Sequence, residues 1–104
     1  MATLVEGGDL LELIENYVKE NKIMIFSKSS CPYCVKVKQL FQSLGVDYFA
    51  LELDKEDNGS ELQDAMAKKA GRRSVPQVFI KGTHIGGCDD TMAAHKSGKL
   101  VSLL

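Results

Sequence analysis

Apolar residues along this chain recur in two periods, and the switches between them predict its elements. In LLELIENYVKEN, Leu10, Leu13, Ile14, Tyr17 and Val18 share one helical face, with Glu12, Glu15, Asn16 and Lys19 opposite. Asp9 is placed to cap that helix, and Glu12 three residues on completes a capping-box pattern. The segment KIMIFS is short and apolar, as a buried strand requires. Val35, Val37, Leu40, Phe41 and Leu44 give a second helical stripe, which Gly45 ends. In VDYFALELD, Val46, Tyr48, Ala50 and Glu52 alternate with Asp47, Phe49, Leu51 and Leu53, which predicts a strand with an apolar face. After the turn DKEDNGS, Leu62, Ala65, Met66 and Lys69 mark a third helix ending at Gly71. QVFI and THIGG read as strands around a Lys81-Gly82 turn, and one or two short helices, punctuated by Gly98, run from Asp90 to Leu104.

The resulting order is α-β-α-β-α-β-β-α. Strands joined by a helix should be parallel with a right-handed crossover, and strands joined by a two-residue turn should be antiparallel. The expectation is an α/β fold with a four-stranded mixed sheet and helices on both faces. A length of 104 residues suits one domain spanning 1–104, with no repeat, linker or low-complexity tract.

Composition narrows the function by exclusion. The formal net charge of −1 offers no global attraction to nucleic acid or membrane. Three cysteines are too few, and odd in number, for a secreted disulfide scaffold. The opening MATLVEGGDL lacks the basic-then-apolar order of a signal peptide, and no apolar run approaches membrane length. A reducing, cytoplasmic setting is expected, where Cys-x-x-Cys pairs bind metal or do redox chemistry.

The chemistry concentrates in SKSSCPYCVKV. Cys31 falls where a strand turns into a helix, Pro32 suits the first helical position, and Cys34 comes one turn in. Residues three apart share a helix face at Cα separations of about 5 Å, within disulfide reach. Unpaired N–H groups at a helix N-terminus favour thiolate over thiol. Lys28, Lys36 and Lys38 add positive field, and no carboxylate occurs between Ser27 and Phe41. Cys31 is therefore the expected nucleophile and Cys34 the more buried resolving thiol. A zinc site needs about four ligands. Only Cys88, His84 and His95 remain to supply them, without a second Cys-x-x-Cys, so no metal is expected. His84 and His95 read as surface histidines, and Cys88 as a small, partly buried residue with a possible second redox role.

With these residues in place, the chain resembles the glutaredoxins of the dithiol, Cys-Pro-Tyr-Cys class. The resemblance rests on K-x-x-C-P-Y-C at Lys28 to Cys34, S-V-P at Ser74 to Pro76, and G-G-C-D-D at Gly86 to Asp90. Ser74 stands where threonine is commoner. Thioredoxins would show Trp-Cys-Gly-Pro-Cys, and this chain has no tryptophan. The resemblance implies a thioredoxin-like fold and glutathione as co-substrate. It implies that Lys28 and Gln63 hold the glycine carboxylate end; the two carboxylates of glutathione add Arg72 or Arg73 there, Arg73 being the expected contact and the other an ordinary solvated arginine. It implies that Val75 pairs its backbone with the peptide, that Pro76 is cis, and that Tyr33 lines the groove. Gly87, Cys88, Asp89 and Asp90 would receive the γ-glutamyl end.

The implied activity is glutathione-dependent thiol–disulfide exchange on protein–glutathione mixed disulfides and some protein disulfides. The implied partners are glutathione, glutathionylated and disulfide-containing proteins and, indirectly, glutathione reductase. A monomer without nucleic-acid or membrane partners is expected. Two alternatives stand beside it. One is a glutathione-ligated [2Fe–2S] carrier, against which Pro32 argues, since cluster binders more often have Ser or Gly there. The other is a thioredoxin-type reductase. The apolar end LVSLL suits a docked final helix, or a module of a larger reductase.

Overall fold

The run Ile23–Ser27 carries no polar alternation because it forms a strand with packed helices on both sides. The computed structural model describes residues 7–104, with side chains from residue 10 onward. Its elements are α1 (Gly7–Glu20), β1 (Ile23–Ser27), α2 (Pro32–Ser43), β2 (Phe49–Glu52), α3 (Gly59–Ala70), β3 (Gln77–Ile80), β4 (Thr83–Gly86), α4 (Cys88–Ser97) and α5 (Lys99–Leu103). A turn of 3₁₀ helix, Leu53–Lys55, leads from β2 towards α3. The sheet order is β2-β1-β3-β4. β1 pairs parallel to β2 and antiparallel to β3, and β3 pairs antiparallel to β4. The mixed four-stranded sheet is therefore as the alternation predicts. Lys81 and Gly82 both take positive φ, 50° and 83°, the twist a two-residue hairpin turn needs.

Successive side chains of β1 point to opposite faces, which builds two cores. Met24 and Phe26 join Ile14, Leu51, Leu62, Met66 and Phe79 beneath α1 and α3. Ile23 and Ile25 join Val37, Phe41, Val78, Ile80 and Leu100 beneath α2, α4 and α5. Phe26 meets Phe79 edge to face at 5.9 Å, an arrangement aromatic quadrupoles favour. Among the described residues, no helix is long and apolar enough to cross a membrane.

The structure differs from the sequence expectations at four places. The backbone is already helical at Gly7, so α1 begins before Asp9, and the capping-box expectation fails there. β2 starts at Phe49 rather than Val46, because its ladder with β1 begins at the Met24–Phe49 pair and β1 itself has only five residues. Val35 is exposed, since the buried stripe of α2 runs through Cys34, Val37 and Phe41. α4 begins at Cys88, two residues ahead of Asp90.

Candidate active site

Cys31 lies just past the end of β1, where the chain turns before α2. Ser29 and Ser30 form that turn, closed by a hydrogen bond from the Cys31 N–H to the Lys28 carbonyl at 3.0 Å. Asp54 fixes it from outside, accepting from both the Ser29 N–H and hydroxyl. Those bonds hold the Asp54 carboxyl below its ordinary range. Cys31 is the N-cap of α2, with φ −84° and ψ 117°, and Pro32 takes the first helical position. No side chain caps the helix start, so its free N–H groups face the partly exposed Cys31.

Cys34 lies one turn into the helix and is fully buried. Burial pushes its thiol up to about 11, and the neighbouring Cys31 thiol adds to the shift. The nearby backbone of Lys28 and the side chain of Ser27 pull the other way without winning. All three cysteines are free. The asymmetry is one of access as well as protonation, and it yields a labelling expectation. Brief iodoacetamide treatment of the reduced, folded protein at mildly acidic pH should modify Cys31 and leave Cys34 unmodified by peptide mass mapping. Faster labelling of Cys34 would reverse the assignment of the two thiols.

A cleft of about 310 Å³ opens beside this helix mouth. The Val75–Pro76 peptide, which is cis, forms one wall, and the Val75 carbonyl stands 3.9 Å from Cys31 Sγ. Tyr33 lines the cleft from α2, 61% exposed. Gly87, Cys88, Asp89 and Asp90 close the far side at the start of α4. Cys88 is nearly buried there, and burial pushes its thiol upward.

Asp90 performs two tasks. Its carboxylate accepts from the Gly87 N–H at 3.0 Å, tying down the entry to α4, and pairs with Arg72 at 2.8 Å. These contacts, Arg72 first, hold its carboxyl below the ordinary range. Asp89 is exposed, and its side chain makes no hydrogen bond among the described residues.

Besides the two reactive cysteines beside it, three of the candidate glutathione contacts stand outside the cleft lining. Arg73 turns away, its Nε on Asp64 Oδ1 at 2.7 Å and an N–H towards Ser60. The adjacent Arg72, not Arg73, lines the cleft. Gln63 is buried instead of being an exposed helical glutamine, and its Nε2 donates to the Arg73 carbonyl at 2.7 Å. It therefore anchors the loop that carries Ser74 and Val75. Lys28 is half-buried beside the turn and makes no ion pair among the described residues.

The basic field expected from sequence is also smaller in space. Lys38 is paired with Glu52 at 2.7 Å, which offsets its charge. A window free of carboxylates in sequence thus meets Glu52 and Asp54 in the fold.

Gln77 is a residue the sequence reading passed over. It is fully buried at the start of β3, donates from Nε2 to the Ser74 carbonyl at 3.0 Å, and meets His84 Nε2 at 2.7 Å. His84 is accordingly not a bare surface histidine. It packs on the Phe79 ring at 4.8 Å, and burial holds its imidazole below the ordinary range. The signal available in sequence was a polar residue heading an otherwise apolar strand.

Both the sequence and the fold match known proteins. The glutaredoxin family model matches residues 23–85. Glutaredoxin-C6 of Oryza sativa subsp. japonica is 58% identical over 82 residues, covering 79% of this chain and 73% of that protein. A crystal structure of a buckwheat glutaredoxin–glutathione complex superposes with a TM-score of 0.92 at 44% identity, covering 99% of this chain and 94% of that one. A crystal structure of wheat glutaredoxin gives a TM-score of 0.91 at 50% identity, with 95% of each chain covered. With its reactive-helix geometry and these matches together, this chain belongs to the glutaredoxin family.

Proposed function

We propose that the protein is a glutathione-dependent thiol–disulfide oxidoreductase acting on protein–glutathione mixed disulfides and on some protein disulfides. The observation that carries the reading is the pairing of an accessible thiol at a helix mouth with a buried thiol one turn away, beside a cleft of mixed charge. The solved glutathione complex of the buckwheat relative supports the choice of co-substrate.

Glutathione carries two carboxylates and one ammonium, so its site needs cations and an anion at different places. In this reading Lys28 stays available for the glycine carboxylate, with Gln63 shaping the adjoining loop. The Val75 backbone pairs with the cysteinyl residue, which puts the mixed disulfide next to Cys31. The free N–H groups opening α4 take the γ-glutamyl carboxylate. Asp90 is engaged by Arg72 and Gly87, which leaves the exposed Asp89 to face the ammonium.

Cys31 attacks the glutathione sulfur, the target protein's thiolate leaves, and Cys31 carries glutathione. A second glutathione then releases glutathione disulfide. With a protein disulfide, Cys34 resolves the intermediate and a Cys31–Cys34 disulfide forms.

The test compares turnover of a glutathionylated peptide in two coupled systems. Glutathione with glutathione reductase should sustain it, and thioredoxin reductase alone should not. Equal support by thioredoxin reductase would replace this reading with a thioredoxin-type reductase.

A further inference from the structure

The stretch that carries Val75 has no backbone support of its own. From Arg72 to Val75, between α3 and β3, the chain makes no backbone–backbone hydrogen bond among the described residues. Buried side-chain amides hold it instead. Gln63 of α3 donates to the Arg73 carbonyl at 2.7 Å. Gln77 of β3 donates from Nε2 to the Ser74 carbonyl at 3.0 Å and to the Ser74 hydroxyl oxygen at 3.3 Å. Two consecutive carbonyls are thus clamped immediately ahead of Val75, whose own carbonyl stands 3.9 Å from Cys31 Sγ.

Donor counting fixes which end of the Gln77 amide faces this stretch. A carbonyl only accepts, so the amide nitrogen must face Ser74. The amide oxygen then faces His84 Nε2 at 2.7 Å, and that nitrogen must carry a proton. Gln77 and Phe79 share one face of β3, because strand side chains alternate. His84 of β4 is the cross-strand partner of Phe79 and lies on its ring at 4.8 Å. That seat brings its Nε2 to Gln77. Gln77 is 0% exposed, and no buried side-chain nitrogen or oxygen of the described residues lacks a partner. Burying an amide is unfavourable unless its groups are bonded, and an apolar side chain would fill the same place without that demand.

We propose that Gln77, held by His84, is a positioning residue that sets the Val75 backbone against the glutathionyl peptide. This role rests on the glutathione-dependent reading of the site and adds two residues outside the cleft lining. Both act through Ser74, one residue ahead of the backbone that pairs. Without the Gln77 amide the Ser74 carbonyl loses its donor, and Gln63 alone holds the stretch from one residue further back. Cys31 owes its place to α2 and to the Lys28 carbonyl, so its attack on a plain disulfide does not pass through Gln77. The loss is therefore selective, falling on substrates that pair with the Val75 backbone.

The experiment mixes the reduced full chain with a glutathionylated peptide or with 2-hydroxyethyl disulfide, which has no peptide backbone to pair with Val75. The first exchange is followed by rapid acid quench and mass spectrometry. Gln77→Met keeps the bulk of the side chain and removes the amide. It should slow the reaction with the peptide about ten-fold and leave that with 2-hydroxyethyl disulfide within about two-fold of the parent. His84→Phe keeps a ring on Phe79 and removes the donor, and should slow the peptide reaction about three-fold. His84→Gln restores a donor and should return the parent rate. His84 is half-buried, so its two variants decide the matter if Gln77→Met does not fold. Gln77→Met or His84→Phe reacting with the peptide at the parent rate would overturn the positioning role. So would slowing of both substrates by the same factor, which is what simple loosening of the fold would give. His84→Gln as slow as His84→Phe would overturn it too. A parent that prefers the peptide while the variants keep that preference refutes the positioning alone. A parent that reacts no faster with the peptide than with 2-hydroxyethyl disulfide refutes the glutathione-dependent reading, and the positioning with it.

Discussion

Cys31→Ser is expected to reduce turnover of a glutathionylated peptide to about one part in 10⁴ of the parent or less, whereas Cys34→Ser should retain it. A serine hydroxyl at the N-cap of α2 keeps the shape of the site and even suits that position. It supplies no sulfur to carry glutathione, however, so the first step has no substitute. Cys34 is called upon only after that step, and only when the second thiol must resolve the intermediate. Cys34→Ser should therefore lose reduction of a protein disulfide while sparing deglutathionylation. Its geometry favours a clean result, since Cys34 is fully buried and serine is nearly isosteric. The measurement is steady-state turnover on both substrate types with glutathione and glutathione reductase. Equal loss of both activities in Cys34→Ser would end the division of labour between the thiols.

The second large effect is expected at Gly86, which touches neither cysteine. Its φ of 124° lies in a region that side-chain-bearing residues avoid, at a cost of ~1–3 kcal/mol. A Cβ there would also stand 2.7 Å from the Asp90 Cβ and closer still to its carboxylate. Asp90 would have to move, releasing the Gly87 N–H and Arg72 together. Gly86→Ala should therefore lower the melting temperature and raise KM for the glutathionylated peptide about ten-fold, with little change in kcat. The surface pair itself adds only ~0–1 kcal/mol to stability, so Arg72→Ala should affect KM more than melting. An unchanged KM in Gly86→Ala would show that the start of α4 does not bind the substrate.

The legible parts of this protein are those written in local pattern. The run Ile23–Ser27 lacks polar alternation because both its faces are covered, and that is a statement about a central strand. Two cysteines three apart, with proline between, place one thiol at a helix mouth and one inside, whatever packs around them. The turn at Lys81-Gly82 could be read from its two residues alone. Less legible was anything that depends on a partner distant in sequence. Arg72 and Arg73 are adjacent and chemically identical, so only the fold could turn one to Asp90 across the cleft and the other to Asp64 on α3. Gln63 reads as a solvated helical glutamine until the loop at Arg73 is laid over it.

Alternation, helical period and cysteine spacing thus determined the element order, the mixed sheet and the reactive helix mouth, because each depends on residues a few positions apart. The tertiary structure decided which charges are free. Lys38 reads as part of a basic run, yet β2 brings Glu52 to it and to Ser27, twenty-five residues away in sequence. That distance is invisible to any local pattern. It is closed only by the parallel pairing of β1 with β2, which sets Ser27 opposite Glu52 in the ladder.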